Sequence, residues 1–368
     1  MQLWKENGLL ERELQLYREL SKHGVEITFL TYGDREDLRL QDECNPVNIL
    51  PAYSRMKKLK WKWLSLLQSL LIPFYFKDVF RAAGIYKTNQ MFGSWAGVIA
   101  SRMYKKPLLI RTGYTWSLFK LRDKKITGYW LASILEKISY GNADIAVVAS
   151  PHDADYIRSR YKISAPRIKV VPQYIDTDIF SPSDTEKYID RLVFVGRLTK
   201  QKNLGNLVRA LEGSSLKLDI YGSGELRGEL EALAKDLNVE VSFMGNIPNS
   251  EVFRVLNRYH VFILPSLYEG SPKSLLEAMS CAMVVVGTKV EGIREVITDN
   301  VNGLLCGTSP ESIKAVVKDV FSRLGELSGL RRNARETVLT NCRLGTIVSH
   351  ELETYRELLE NRSSKPSS

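Results

Sequence analysis

The chain has 368 residues, of which 44% are hydrophobic and 26% charged, and a formal net charge of +10 at pH 7. These values describe a soluble globular chain with enough apolar mass for two cores, and they exclude a disordered one. The positive charge favours an anionic partner, either nucleic acid, acidic lipid or a phosphorylated substrate, and charge alone does not choose among them.

The N-terminal residues begin as a helix, because leucines recur at roughly helical spacing over residues 9–20 and Gly24 follows. Strands are predicted at 25–32 and 47–50. Domains that alternate strands and helices usually open on a strand and a Gly-rich turn. We therefore expect that the first strand of this domain is missing. No apolar core follows Met1, so a signal peptide is not expected.

Basic residues alternate with tryptophan over residues 57–64, ahead of an apolar tract at 63–76 that is too short to span a bilayer. This pattern is typical of an amphipathic helix at an anionic membrane surface. It is equally typical of a surface helix whose apolar side packs on a sheet while its lysines face water.

Two strands at 85–90 and 107–114 end in polar residues, which would lie at the carboxyl edge of a sheet, where ligands of α/β proteins bind. Candidate binding residues there are Gln90, Arg111 and Tyr114, and the alternative for Arg111 is a surface ion pair. A helical region at 116–140 and a strand at 145–148 follow. Residues 173–183 have the prolines and turn formers of an interdomain linker.

A second series of strands and helices begins at Arg191. The alternation predicts a parallel sheet with right-handed crossovers. Strands are predicted at 192–195, 216–221, 239–244, 261–264 and 283–286, and helices at 204–211, 225–237, 250–257, 272–281 and 293–297. Helices at 310–327, 330–340 and 347–359 end the chain.

The four cysteines are isolated, so neither disulfides nor a zinc site is expected, and a reducing cytoplasm fits.

The loop from Gly196 to Asn203 follows a strand and precedes a helix, with Arg197 and Lys202 flanking the turn. A phosphate placed there would meet a guanidinium, an ammonium and helix amides. Lys200 is expected to be exposed. The alternative is a solvated basic loop. Glycines 222 and 224 and the pair Asn246–Ile247 follow later strands and would read a nucleotide or simply make turns.

The stretch from 264 to 279 contains a strand end, a Gly-containing loop and a helix. Ser271 is predicted to cap that helix and Pro272 to be its first residue, which would direct the amides of Lys273 and Ser274 at a ligand. Glu269 and Glu277 are suited to sugar hydroxyls, because a carboxylate accepts several hydrogen bonds from a diol. The alternative is that both are ordinary exposed carboxylates.

The ordered set of these motifs resembles the retaining GT-B glycosyltransferases of family 4. It comprises Gly196-Arg197-Leu198 with Lys202, Gly222-Ser223-Gly224, Glu269 and Glu277 in an E-x7-E arrangement, and the segments 171–182, 290–297 and 302–305. The resemblance implies an α/β fold with two Rossmann-like domains facing across a cleft. It predicts an acceptor-side domain at 1–178, a nucleotide-sugar domain at 179–346, a helix at 347–362 crossing back to the first domain, and a disordered tail at 363–368.

The resemblance also implies residue roles. Arg197 and Lys202 would hold the donor diphosphate, Glu277 the ribose hydroxyls and Glu269 the donor sugar, so that Glu269, Arg197 and Lys202 form the catalytic set. The other donor-binding residues would be Gly196, Gly222, Gly224, Asn246, Ile247, Gly270, Ser271, Lys273, Ser274 and Leu275. No metal or other cofactor is expected, because Arg, Lys and the helix dipole offset the charge of the leaving diphosphate.

The first half of the chain departs from the family pattern. Only Asn7-Gly8-Leu9-Leu10 remains of the Gly-rich loop, and Arg111 stands where many members carry a histidine. Gly8 therefore joins Gln90, Arg111 and Tyr114 as an acceptor-side candidate.

The resemblance implies a hexosyltransferase that is metal-independent and retains the anomeric configuration, and the isolated cysteines favour a cytoplasmic one. It would act on a saccharide or lipid-linked acceptor in polysaccharide biosynthesis, with peripheral contact at the inner face of the cell membrane. The alternative is a catalytically inactive protein that binds nucleotide-sugar or a partner. Nucleic-acid binding is not expected, since no recognised motif supports it.

Overall fold

The computed structural model describes residues 1–6, 9–122 and 126–363. It divides into two compact units, one formed by Met1–Val171 together with the residues from Ile347 onward, and the other by Pro172–Thr346. The second unit therefore begins a few residues before the predicted border at 178. Apart from Ser363, the predicted tail at 363–368 lies outside the described residues.

The first unit contains two parallel sheets. Strands β1 and β2 pair with each other, and the other four form a sheet in the order β3-β4-β5-β6. The two central strands of that sheet are fully buried, and apolar residues make up most of both, as expected where helices cover both faces. The strands are β1 Thr28–Thr31, β2 Asn48–Pro51, β3 Tyr86–Thr88, β4 Leu108–Thr112, β5 Ile145–Val148 and β6 Ile168–Val170.

The last helix before the second unit begins at a clear sequence signal. It starts after Ser150, whose side chain accepts a hydrogen bond from the Asp153 amide, and it has Pro151 in its first turn. The helices are α1 Gln2–Glu6, α2 Leu10–Lys22, α3 Gln41–Cys44, α4 Lys62–Ser69, α5 Ile72–Tyr75, α6 Lys77–Ala82, α7 Trp95–Tyr104, α8 Trp116–Arg122, α9 Ile126–Asn142 and α10 Pro151–Tyr161.

The second unit has one six-stranded parallel sheet with the order β12-β11-β10-β7-β8-β9. The predicted parallel sheet is thus confirmed. Its strands are β7 Tyr188–Val195, β8 Lys217–Tyr221, β9 Val241–Gly245, β10 Tyr259–Leu264, β11 Val284–Thr288 and β12 Leu304–Cys306. Its helices are α11 Leu204–Ala210, α12 Arg227–Asp236, α13 Asn249–Leu256, α14 Lys273–Ser280, α15 Pro310–Ser322 and α16 Ser328–Asn341.

Helix α17, Leu344–Ser363, leaves the second unit and belongs to the first from Ile347 onward. Within the described residues, five short 3-10 helices complete the regular structure, at Arg35–Leu40, Ala52–Ser54, Ala165–Arg167, Lys200–Lys202 and Leu324–Glu326. None of the helices in the described part of the chain is long and apolar enough to cross a membrane.

One predicted helix is absent. The segment 293–297 is a series of turns rather than a helix. Gly292, immediately before it, has a φ of +77°, and its backbone lies against the carbonyl oxygens of Glu269 and Gly270. A left-handed residue in such close contact redirects the chain, so tertiary packing overrides the local helical pattern.

Candidate functional site

The order of strands in the second unit reverses between β7 and β10. The chain proceeds outward from β7 through β8 to β9 and then returns to β10 on the other side of β7. The crevice outside the carboxyl ends at such a reversal is the usual ligand site of open α/β sheets. Here it is bordered by the loop after Val195 and the loop after Leu264, which are the two predicted donor-binding segments.

Hydrogen bonds connect these two loops directly. The amide of Leu267 donates to the Gln201 carbonyl oxygen at 2.8 Å, and the Gln201 side chain donates to the Tyr268 carbonyl oxygen at 2.9 Å. Asn203 adopts the left-handed conformation, and its side-chain amide donates to the Pro265 carbonyl oxygen at 3.1 Å. Asparagine tolerates that conformation, which turns the chain into α11.

At the centre of the junction, Lys202 and Glu269 form a largely buried ion pair. The Lys202 Nζ lies 2.6 Å from Glu269 Oε1, and the Ser266 hydroxyl donates to the same oxygen at 2.5 Å. The sequence assigned Lys202 to phosphate and Glu269 to sugar as separate groups, whereas the structure joins them. An ammonium has three hydrogen-bond donors, so Lys202 can bind an anion while it is paired with Glu269. The carboxylate of Glu269 offsets the free-energy cost of burying the Lys202 charge.

Arg197 and Lys200, on the same loop, are both exposed. The expectation for Lys200 is thus confirmed. Arg197 lies two residues beyond the end of β7, and its contact with a donor diphosphate stays a prediction. Sequence reasoning missed Gln201, Asn203 and Ser266. The sequence did contain a signal for them, because each is polar and lies within three positions of Lys202 or Glu269.

Glycines 222 and 224 permit close contact between backbones. A Cβ at Gly222 would lie 1.9 Å from the Gly196 carbonyl oxygen, and one at Gly224 would lie 2.3 Å from the Leu198 carbonyl oxygen. The Leu198 amide also donates to the Ser223 carbonyl oxygen at 2.9 Å. These glycines therefore shape the Gly196–Leu198 loop, and any contact of theirs with a donor stays a prediction.

Helix α14 begins one residue later than predicted. Pro272 precedes its first residue, Lys273, and no side chain caps the helix, so the predicted capping by Ser271 is wrong. The amides of Leu275 and Leu276 both donate to the Pro272 carbonyl oxygen. The Lys273 ammonium lies over the ring of Tyr174, 4.3 Å from its centroid. The amide groups of the segment from Gly270 to Ser274 remain the predicted donor contacts of this loop.

Both predicted carboxylates are buried, which excludes the alternative of two ordinary exposed side chains. Glu277 is 4% exposed although it lies off the stripe formed by Leu275, Ala278 and Met279. Glu269 is likewise buried. A charged group is rarely buried without a specific partner, and Glu269 has Lys202 as that partner. Contact of either carboxylate with a sugar hydroxyl stays a prediction.

Asn246 and Ile247 follow β9, at the edge of the sheet. Asn246 is exposed, while Ile247 is half-buried against the core of the second unit. The Gly222 amide donates to the Gly245 carbonyl oxygen at 2.8 Å, so the three loops after β7, β8 and β9 are linked in order. A predicted contact of Asn246 with a nucleobase fits its exposure and remains a prediction.

The Gly292 contact gives a first prediction. We expect Gly292→Ala to displace the Glu269–Gly270 backbone, because its Cβ would lie 2.4 Å from the Gly270 carbonyl oxygen at a φ of +77°. Calorimetry should show weaker binding of a nucleoside diphosphate. The control is Gly213→Ala, which has a similar φ of +70° but nothing within 4 Å of its Cβ. It should cost about 1–2 kcal/mol of stability and leave the affinity unchanged. Equal affinities in the two variants would contradict the prediction.

The predicted acceptor-side residues in the first unit have different surroundings. Gln90 and Tyr114 are exposed at the carboxyl edge of neighbouring strands, and the Tyr114 ring packs 4.6 Å from that of Phe119. Gly8 lies outside the described residues. Arg111 is buried and donates to Glu351 Oε1 of α17 at 3.0 Å. The alternative of a surface ion pair at Arg111 is therefore wrong, because the pair is buried.

Glu351 also binds Lys87, whose Nζ lies 2.9 Å from its Oε2. Burial lowers the pKa of Lys87 to about 8, in spite of the carboxylate. Burial alone would raise the pKa of Glu351, but Lys87 and Arg111 together hold it below its usual value. The three charges form a network that joins β3, β4 and α17 within the first unit, so Arg111 has a structural partner.

The described residues include no group of three or more His, Cys, Asp or Glu side chains placed to hold a metal ion. The charged groups at the β7–β10 crevice are the cations Arg197 and Lys202 and the carboxylates Glu269 and Glu277. Metal independence stays a prediction.

Comparison with known proteins gives two family matches. The model of the glycosyl transferases group 1 matches residues 178–337, and that of glycosyltransferase family 4 matches residues 12–179. The chain is 34% identical over 184 residues to an uncharacterized glycosyltransferase of Methanocaldococcus jannaschii, which covers 48% of this chain and 46% of that relative. The chain thus spans about half the length of that relative.

Two longer matches carry specific names. The alpha-maltose-1-phosphate synthase of Mycolicibacterium smegmatis is 28% identical over 311 residues, covering 75% of this chain and 80% of that one. The N-acetylgalactosamine-N,N'-diacetylbacillosaminyl-diphospho-undecaprenol 4-alpha-N-acetylgalactosaminyltransferase of Campylobacter jejuni is 29% identical over 262 residues, covering 67% and 70%.

Solved structures match over nearly the whole chain. The sucrose-phosphate synthase of Thermosynechococcus elongatus superposes with a TM-score of 0.77 and 19% identity, covering 94% of this chain and 92% of that one. The Anabaena protein HepE in complex with UDP-glucose gives a TM-score of 0.72 and 16% identity, covering 90% and 91%. At such identities the likeness concerns the fold alone.

Proposed function

The chain belongs to the group 1 and family 4 glycosyltransferases and has their GT-B fold, and from this premise we propose the finer details of its reaction. It transfers a hexose from a nucleotide-sugar to a saccharide or lipid-linked saccharide during glycan or polysaccharide synthesis, with retention of configuration. The observation that carries this proposal is the buried pair of Lys202 and Glu269 at the β7–β10 crevice, together with Arg197 on the loop after β7 and the buried Glu277 of α14.

Each group at the crevice has a task in this proposal. Arg197 and Lys202 neutralise the charge that develops on the departing diphosphate. Glu277 accepts hydrogen bonds from the two ribose hydroxyls, and Glu269 accepts them from the donor sugar. Because Lys202 contacts Glu269 directly, the pair ties the position of the sugar to that of the phosphate. The UDP-glucose held by HepE is the chemical precedent for such a donor.

The bond changes balance without a covalent enzyme intermediate. The acceptor oxygen forms a bond to the anomeric carbon on the face from which the diphosphate leaves. The bond between that carbon and the diphosphate oxygen breaks, and the proton of the acceptor hydroxyl passes to the diphosphate. Retention follows, because attack and departure share one face. The residues supply electrostatic stabilisation and positioning, which account for a large part of many enzymes' rate enhancement.

The acceptor and the place of the reaction are parts of the same proposal. The Campylobacter jejuni relative is named for an undecaprenol-linked acceptor, which supports a lipid-linked saccharide here. The four cysteines are all free and buried, which supports a cytoplasmic site of action.

A screen of nucleotide-sugars tests the proposal. We expect one nucleotide-sugar to raise the melting temperature and to release its nucleoside diphosphate in the presence of a saccharide acceptor. The anomeric proton of the product should keep the configuration of the donor in an NMR spectrum, and a chelator should leave the rate unchanged. Binding of the nucleoside diphosphate without any transfer would instead support an inactive binding protein. Inversion of configuration would contradict the assignment of retention.

A further inference from the structure

The segment from Trp61 to Tyr75, which contains α4 and α5, turns its apolar side chains outward. Trp61 is 65% exposed and Trp63 58% exposed, and all the leucines from Leu66 to Leu71 are also exposed. The sequence allowed a helix whose apolar side packs on the sheet, and that alternative is wrong. The exposed set is Trp61, Trp63, Leu66, Leu67, Leu70, Leu71, Phe74 and Tyr75.

The inner side of this segment is fixed to the unit. Ile72 and Phe76 are buried in a small core with Met56 and Ala96. The Trp95 indole donates to the Ser69 hydroxyl at 2.8 Å. The outward apolar side is therefore a property of a packed element. An exposed apolar patch made of several large side chains is typical of an interaction site.

The charged residues within this stretch of sequence have one sign. From Ser54 to Lys77, both included, the sequence contains six lysines and arginines and no Asp or Glu. Arg55 pairs with Asp78 at 2.7 Å, while Lys57 and Lys60 are exposed beside the tryptophans. The surface thus combines apolar and aromatic side chains with an excess of positive charge.

Helix α9 presents a second apolar face that sequence reasoning did not single out. Its exposed side chains recur every four residues and therefore lie on one side of the helix. The opposite side, with Ala132, Glu136 and Tyr140, is buried. The exposed set is Ile126, Trp130, Leu131, Ile134 and Ile138, with Trp130 57% exposed.

The buried sides of α4 and α9 are both held at the start of α7. The Ser94 hydroxyl lies 2.7 Å from that of Ser139 in α9, and the next residue, Trp95, binds Ser69 of α4. The exposed ring of Phe92 lies between Trp95 at 5.1 Å and Trp116 at 5.9 Å. The exposed Phe92 ring and the helices α4 and α9 thus share α7 as a common neighbour within the first unit.

We propose that these two faces together bind the surface of an anionic lipid bilayer. Tryptophan and leucine would enter the boundary of the acyl chains, while Lys57, Lys58 and Lys60 would contact the acidic headgroups. The inference deepens the proposed function, since it would bring the enzyme to lipid-linked acceptors. Binding to vesicles is measurable without donor or acceptor. Vesicle binding can therefore fail while sugar transfer is observed, and sugar transfer can fail while vesicle binding is observed.

A second copy of the chain fits this surface less well. A two-fold interface brings the same patch of both copies together, so the lysines of one copy would face those of the other. The centre of a stable protein interface is also depleted in lysine. A bilayer containing acidic lipid supplies both the apolar phase and the opposite charge.

Co-sedimentation with vesicles tests the proposal. We expect the protein to bind vesicles of equal parts phosphatidylglycerol and phosphatidylcholine, and to bind pure phosphatidylcholine at least about tenfold less well. The triple variant Lys57→Gln, Lys58→Gln, Lys60→Gln should lose about 100-fold in partitioning, at roughly fivefold per lysine. The double variants Trp61→Ser with Trp63→Ser, and Trp130→Ser with Ile134→Ser, should each lose at least about tenfold.

The matched control is Ile189→Ser, which removes a 77% exposed apolar side chain from the second unit and should bind as the unsubstituted protein does. Near-UV circular dichroism checks that every variant is folded. Unchanged binding by the tryptophan variants would overturn the proposal, as would equal binding to both kinds of vesicle. A dimer in solution that these substitutions dissociate, without vesicle binding, would show that a second copy covers the surface.

Discussion

Replacing Lys202 with alanine should lower kcat/KM for sugar transfer by about 10²–10³-fold, the loss typical of removing one charge-stabilising donor from an active site. Two effects combine. The variant loses the ammonium that would neutralise the leaving diphosphate, and it leaves Glu269 largely buried without the cation that lies 2.6 Å away. Both effects raise the energy of the transition state, because negative charge would then gather around a bound anion.

Lys200→Ala is the matched control for this measurement. Lys200 carries the same charge two positions earlier on the same short 3-10 helix, but its side chain is exposed. Steady-state rates of nucleoside diphosphate release should change by less than about threefold in this variant, since an exposed charge is well screened. If Lys202→Ala and Lys200→Ala lost the same small amount of activity, the proposed role of the buried pair would be wrong.

Replacing Glu351 with alanine should lower the free energy of unfolding by about 3–5 kcal/mol, because Lys87 and Arg111 would remain buried without their counter-charge. Glu357→Ala is the control on the same helix. Glu357 pairs with Lys169, but both side chains are partly exposed, so its loss should cost at most about 1 kcal/mol. Urea denaturation followed by circular dichroism measures both.

Acidification gives a second measure of this network. The pKa of Glu351 lies below its ordinary value of 4.5, so its contribution to stability is present above that pH and is lost as the pH falls through the folded-state pKa. The difference between the unsubstituted protein and Glu351→Ala should therefore shrink in acid. A difference that stayed constant, or one no larger than that of Glu357→Ala, would show that the network contributes little.

The sequence by itself determined the elements of the second unit and the place of its site. Alternating apolar strands and helices predict a parallel sheet. The charged residues of the loops after Val195 and Leu264 can be identified directly from the sequence. These features are local, because they depend on the periodicity of neighbouring residues and on turn chemistry. The ordered motifs also sufficed to identify the family, which the family matches confirm.

The tertiary structure alone decided which charges meet. Lys202 and Glu269 pair because the strand order sets β10 beside β7, and the sequence motifs assign them to separate ligands. Arg111 and Glu351 are 240 residues apart and meet because α17 returns to the first unit. The sequence likewise left open whether the apolar side chains of residues 61–75 pack on the sheet or face outward. Periodicity shows that a helix has an apolar side, but it does not show what covers that side. Such pairings arise from the packing of distant elements, which local patterns do not encode.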